Sequence, residues 1–387
     1  MDFEFTIEQQ DIQRAVRDFC KKELTKEYVR WLDENVDFPP EDLWKKLANL
    51  GILGIIVPEE YGGQGKGPTE VCIILEEICK ACNAVGIAVG VHITFGSRTL
   101  KELGNEKQKQ QYLPSVASGD LKWAMGLTET GGGTDILGAI SSTAVEDGGD
   151  YILNGQKIFV SSGHVADYIN TIVITDEKAS KKSKALSNFI VDAKSPGLTI
   201  NKIPKLGNHA CAAVEIFYDD VRVPRENLLG TLNNAWYEIL TTLNPERFIV
   251  AALSIGVSKA VLEDAVAYAK KRFAFGKPIG QFMAVQHMLA DIALDIELAR
   301  NLMYKCAWLC EQGKPYSVEA IMAKLFASDR AVIHAVNGME ILGGYGYCME
   351  YDMQRYLRDS KQMPFSPLNN ESCKNMIAES LGLPRSF

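Results

Sequence analysis

The chain has 387 residues, 47% of them hydrophobic and 23% charged, with a formal charge of −8 and a pI near 5.4. That balance is globular rather than disordered, and the acidic surface disfavours nucleic acid, whose phosphates need a basic field. No apolar run approaches the roughly 20 residues of a membrane span, and the acidic opening MDFEFTIEQQD lacks the basic-then-apolar order of a secretion signal, so a cytoplasmic protein is expected.

In chain order, residues 1–120 read as helices. Ile12, Ala15, Val16 and Phe19 share one helical face, and Leu43, Leu47 and Leu50 share another. A helix over 71–82 follows the turn-rich VPEEYGGQGKGPTE, and a second, rich in Ala, Gly and Val, runs over 84–100. Nine cysteines without a secretion signal read as free thiols acting as small buried hydrophobes, Cys79-Lys-Ala-Cys82 included. Five histidines in no paired spacing indicate no metal site.

Near Leu121 the period shortens to two. Strands are expected over 151–162, 168–175, 187–192, 198–203 and 213–223, with Asn154-Gly155 and Ser195-Pro196-Gly197 among the turns. The lysine-rich 176–184 reads as a solvated hairpin tip. After Asn233 the pattern is helical again, with segments near 234–273, 283–312, 317–342 and 370–381, and Asp291, Asp295, Glu297 and Arg300 on a partly exposed face. The expected fold is α+β and multidomain: a helical domain over 1–120, a β-barrel over 121–232 and a four-helix bundle over 233–387.

Two stretches carry candidate chemistry. Gly126-Leu-Thr-Glu-Thr-Gly-Gly-Gly-Thr-Asp135 places three glycines between hydroxyls, a turn that approaches a phosphate or ring edge closely. LNPERFIVAALSIG opens a long helix with Phe248, Ala252, Ile255, Leu262, Ala265 and Ala269 at helical steps, an acid, Glu246, near its start, and Arg272-Phe-Ala-Phe-Gly276 past its end. Glu246 on its own reads first as a helix-start acid favouring the helix dipole.

Taken together, these segments resemble the acyl-CoA dehydrogenase flavoprotein family. The glycine turn resembles that family's TEPGxGSD motif, NGQKIFVSSG its NGxKxWITNG strand, and RFAFGKPIGQFMAVQ its RxxFGxxIxxFQxxQ turn. VPEEYGG, DDVRVP, ILGGYGY and GLPRSF follow in register. The resemblance implies FAD, usually a homotetramer, and oxidation of an acyl-CoA thioester to the 2-enoyl-CoA. A carboxylate takes the α proton, the flavin N5 takes the β hydride, and electron-transfer flavoprotein takes the electrons.

It further implies that Met125, Leu127, Thr128, Gly133 and Thr134 line the flavin, with Phe159 and Ser161 in the places of a Trp and a Thr. Arg272, Phe275 and Gln286, with Glu340, Gly343 and Gly344, would grip the FAD of a neighbouring subunit. Arg247 and Thr134 would meet the CoA side, and Asn369 stands where a Thr meets the flavin.

The base position departs from many members. Counting eight residues from Asp359 reaches Pro367, in Ser366-Pro367-Leu368-Asn369, and proline neither takes a proton nor donates a backbone N–H. A second group, similar to isovaleryl-CoA dehydrogenase, carries its base on the long helix, and Glu246 in PERFIVAA matches it. The expectation is therefore an FAD-dependent dehydrogenase with Glu246 as base and a short, branched or cyclic acyl-CoA as substrate. The alternatives are an enoyl-CoA reductase working in reverse, or a flavin-binding scaffold with degraded catalysis.

Overall fold

The computed structural model describes residues 4–385; the opening 1–3 and the last two residues of GLPRSF lie outside them. The first helical layer comprises α1 (Ile7–Glu23), α2 (Lys26–Asn35), α3 (Glu41–Asn49), α4 (Pro68–Ala81), α5 (Asn83–Val91), a π-helical turn His92–Arg98, α6 (Thr99–Leu103) and α7 (Glu106–Ala117). Thr6 and Gln9 start α1 with a reciprocal capping box. Leu43 and Leu47 are core residues as their spacing predicts, but Leu50 falls just beyond α3 and is exposed.

A sheet follows: β1 (Trp123–Gly126), the short helix α8 (Ile136–Ala139), then β2 (Thr143–Asp147), β3 (Asp150–Ser161), β4 (Tyr168–Ile174), β5 (Leu186–Asp192), β6 (Leu198–Ile203), β7 (Ala213–Val223) and β8 (Leu228–Leu229). The ladder runs β6-β7-β3-β2-β4-β5-β8, with β1 lying parallel beside β4. Alternate residues of β3, β4 and β7, such as Leu153, Ile169 and Val214, fill a core that the sheet encloses. The lysine-rich 176–184 joins the antiparallel β4 and β5.

The C-terminal helices are α9 (Ala235–Lys271), α10 (Met283–Glu311), α11 (Ser317–Leu342), α12 (Gly344–Tyr347), α13 (Met353–Ser360) and α14 (Asn370–Ser380); the hairpin β9 (Phe273–Ala274) and β10 (Lys277–Pro278) follows α9. The middle of α9 is not amphipathic. Every residue from Phe248 to Ser258 is buried, because α4, α10 and α11 pack around it. At Gly256 a Cβ would come 2.6 Å from Cys79 Cβ and 2.8 Å from the Glu76 carbonyl, so only glycine lets α4 approach so closely.

Charges inside this helical core are paired. Glu76 is fully buried and meets Lys259 of α9 at 2.7 Å and Arg300 of α10 at 3.1 Å. Asp291 and Glu297 are exposed and Asp295 and Arg300 half-buried, the partly exposed face expected for α10, along which Asp295 also meets His334 at 3.2 Å. All nine cysteines are free; seven are buried, whereas Cys310 is half-buried and Cys348 exposed, unlike the buried hydrophobes expected.

Candidate functional site

The glycine turn leaves β1 at Gly126. Met125 and Leu127 are buried in one apolar cluster with Ile239 of α9, and Phe95 and Leu243 pack against it. The Phe95 carbonyl accepts from the Asn170 amide of β4 at 2.8 Å, which ties the π-helical turn to the sheet. The start of α9 is thus held against the wall that carries Met125 and Leu127, one turn before Glu246.

Glu129 is the anchor of the glycine turn. Its carboxylate accepts from the Ser141 N–H (2.7 Å) and hydroxyl (2.6 Å), from the Ser142 N–H (3.1 Å) and from the Lys157 ammonium (2.7 Å). Burial would push this carboxyl up, but the ion pair and the serine donors outweigh it and hold it down at about 2. The Thr128 carbonyl accepts from the Ile158 N–H at 2.9 Å, so turn and strand β3 are stitched together. At Gly132 a Cβ would clash with Ala139 Cβ at 2.2 Å, whereas one at Gly133 would meet nothing within 4 Å. The turn is locked on its inner side and open on its outer side.

Strand β3 bulges between Lys157 and Val160, and Phe159 sits in the bulge with φ +58° and 63% of its surface exposed. A bulky residue in the left-handed region is strained, a feature that collects at ligand sites. Ser161 follows, half-buried and paired with Ala213. Buried Met125 and Leu127, the open Gly133, the hydroxyls of Thr128, Thr134 and Ser161 and an uncovered aromatic ring fit a flat cofactor with an apolar face and a polar edge, as the flavin of FAD has.

Helix α9 begins at Ala235, so Glu246 lies three turns inside it, where a helix-dipole role is not available. The preceding Pro245 is also within the helix and has no N–H to give its ladder. Part of the Glu246 side chain reaches the surface, yet its Oε2 is buried with no hydrogen-bond partner, as is Thr242 Oγ1 one turn earlier. Burial pushes the carboxyl up to about 7, with Arg247 pulling the other way. The Arg247 guanidinium is itself drawn below its ordinary value by burial, against Cys373, Glu246 and Tyr316.

The loop before α14 carries Pro367. Asn369 caps α14 by accepting from the Ser372 N–H at 2.7 Å, and its amide donates to Thr134 Oγ1 at 2.7 Å. Glu371, the other acid nearby, is exposed.

At the far end of α9, Arg272, Phe275, Gln286, Glu340, Gly343 and Gly344 are all exposed on this chain. Phe275, Phe282 and Glu340 line one groove of about 300 Å³, and the Arg272 guanidinium lies over Tyr345, 5.9 Å from the ring centre. The structure therefore sorts the expected residues into two groups, one at each end of α9.

Sequence reading overlooked the Glu129–Lys157 pair, Thr242 and the π-helical turn. The alternation Leu153, Gly155, Lys157 in β3 was the available signal, since it aims the lysine into the core.

Residues 6–120, 124–221 and 233–382 match the family models for the N-terminal, middle and C-terminal domains of acyl-CoA dehydrogenase. A probable acyl-CoA dehydrogenase of Bacillus subtilis is 38% identical over 384 residues, spanning 98% of this chain and all of the relative. A caffeyl-CoA reductase-Etf complex subunit of Acetobacterium woodii is 36% identical over 92% of this chain and 93% of its own. The structure of butyryl-CoA dehydrogenase from Megasphaera elsdenii superposes with a TM-score of 0.94 at 35% identity, covering 99% of this chain and all of the other. With the same helical, sheet and helical order and a wall shaped for a flavin, the chain belongs to the acyl-CoA dehydrogenase family of FAD-dependent oxidoreductases.

Proposed function

We propose that the chain oxidises an acyl-CoA thioester to the 2-enoyl-CoA with Glu246 as the α-proton base. The observation that carries this reading is the buried, unpartnered Oε2 of Glu246, on a carboxyl raised to about 7. A base poised near neutrality with a free lone pair is suited to take a weakly acidic proton. When bound, FAD supplies the hydride acceptor.

Met125, Leu127, Thr128, Gly133, Phe159 and Ser161 would hold the flavin ring. Thr134 and Arg247 would meet the CoA side, with Asn369 at the edge. Arg272, Phe275, Gln286, Glu340, Gly343 and Gly344 would grip the FAD of a neighbouring copy in a homotetramer, which accounts for their exposure on one chain. Residues 1–120, 121–232 and 233–387 would be the three domains. Pro367 removes one backbone donor from the thioester oxygen, so stabilisation of the enolate there rests on other groups.

Electrons would pass to an electron-transfer flavoprotein, as the name of the Acetobacterium relative supports. That same name favours a second reading, reduction of an enoyl-CoA. No helix among the described residues is long and apolar enough to cross a membrane.

The test is anaerobic bleaching of the flavin by a panel of straight, branched, cyclic and dicarboxylic acyl-CoAs, alongside reoxidation by enoyl-CoAs. Glu246→Gln should retain FAD and lose about 10²–10⁴-fold in the rate of flavin reduction. A variant that keeps most of the wild-type rate removes Glu246 as base.

A further inference from the structure

Lys324 is a charged residue that the chemistry above leaves unused. It lies on the inward face of α11 with none of its surface exposed. No carboxylate pairs with it among the described residues. Instead its ammonium donates to the Pro364 carbonyl at 3.0 Å, the Leu368 carbonyl at 2.5 Å and the Asn370 side-chain oxygen at 2.8 Å. Three hydrogens meet three acceptors, which satisfies the ammonium completely.

Pro364 and Asn370 bracket one short loop, 365–369, and Leu368 lies within it. The Pro364 carbonyl also accepts the Asn370 N–H at 2.8 Å, closing the loop at its neck, and Ser328 Oγ donates to the same Asn370 oxygen at 3.1 Å. From this pinned loop Asn369 reaches Thr134 at the end of the glycine turn. We propose that Lys324 is a positioning residue, which clamps the 365–369 loop over the reaction site and thereby sets where Asn369 meets Thr134. The proposal rests on the reading above that this turn and loop face flavin and thioester.

A methionine of similar length would fill the same volume without desolvating a charge, so packing does not account for a lysine here. What the ammonium adds is direction: three bonds fix both ends of the loop relative to α11. Burial draws the ammonium down to about 8, while Cys373 and Glu371 on α14 oppose that shift. The charged form, with all three donors, is the one that serves every acceptor.

The experiment is a double-mutant cycle on the holoenzyme, using the acyl-CoA that bleaches the flavin fastest in the panel above. Lys324→Met should raise KM about tenfold, the worth of a hydrogen bond to a charged group, and Asn369→Ala should raise it similarly. The double variant should be no worse than either single one, because both act through one contact. Additive effects, or a wild-type KM in Lys324→Met, would overturn the proposal. If Lys324→Met does not fold, Asn370→Ala removes one acceptor instead; it should raise KM in the same direction, and an unchanged KM is equally fatal. An active Glu246→Gln would sink the base assignment while leaving this KM cycle readable.

Discussion

Glu129 and Glu246 are both carboxylates drawn out of water, yet one is held at about 2 and the other at about 7. Glu129 has an ammonium and three serine donors around it, whereas Glu246 has a buried oxygen with nothing to accept from and only Arg247 in electrostatic reach. Burial acts on both in the same direction; the partners decide the outcome. The satisfied acid holds a turn in place, and the unsatisfied acid keeps a buried oxygen without a partner, as the proposed base requires.

The contrast can be broken most severely from the Glu129 side. Lys157→Met leaves Glu129 buried and unpaired, and should cost about 3–5 kcal/mol of stability together with FAD retention, read by thermal melting and flavin content. A loss below about 1 kcal/mol would mean that water reaches Glu129 and that the pair is incidental.

A smaller effect is expected in the pH profile. As the proposed base Glu246 would act unprotonated, so kcat/KM should climb about tenfold per pH unit below 7 and level off above it. A profile flat from pH 5.5 to 8 would place the base elsewhere.

The smallest expected effect is on stability and has the opposite sign from Lys157→Met. The Glu246 carboxyl is raised in the folded chain, so the folded state keeps a proton that the unfolded chain releases. Stability therefore falls as pH rises from the ordinary carboxylate range through about 7. Glu246→Gln removes that penalty and should be about 1–3 kcal/mol more stable than wild type at pH 8.5, with the gap closing by pH 5. Equal melting temperatures at both pH values would show that Glu246 is solvated.

Much of this was legible beforehand where one period dominates. The strands over 198–203 and 213–223 alternate cleanly and appear at those bounds. Strand β1 was not found, because all four of its residues are buried and a continuous apolar run has no period to read. The long α9 was legible as a helix, but not its buried girth, which depends on three neighbouring helices. Glu246 was legible as a candidate from its neighbours in sequence. Its missing hydrogen-bond partner was not, since an absence in three dimensions leaves no mark on a chain. Lys157 and Lys324 look like surface residues by composition and became visible only once their acceptors were in place.

Phe275, in the turn of the β9–β10 hairpin beyond α9, has 97% of its surface in water and a φ of +50°, two unfavourable conditions in one residue. In the proposed assembly, what covers that ring binds the folded chain and not the unfolded one. The melting temperature should then climb with the logarithm of the concentration of that cover, be it cofactor or a further copy of the chain, and dilution alone should be enough to lower it.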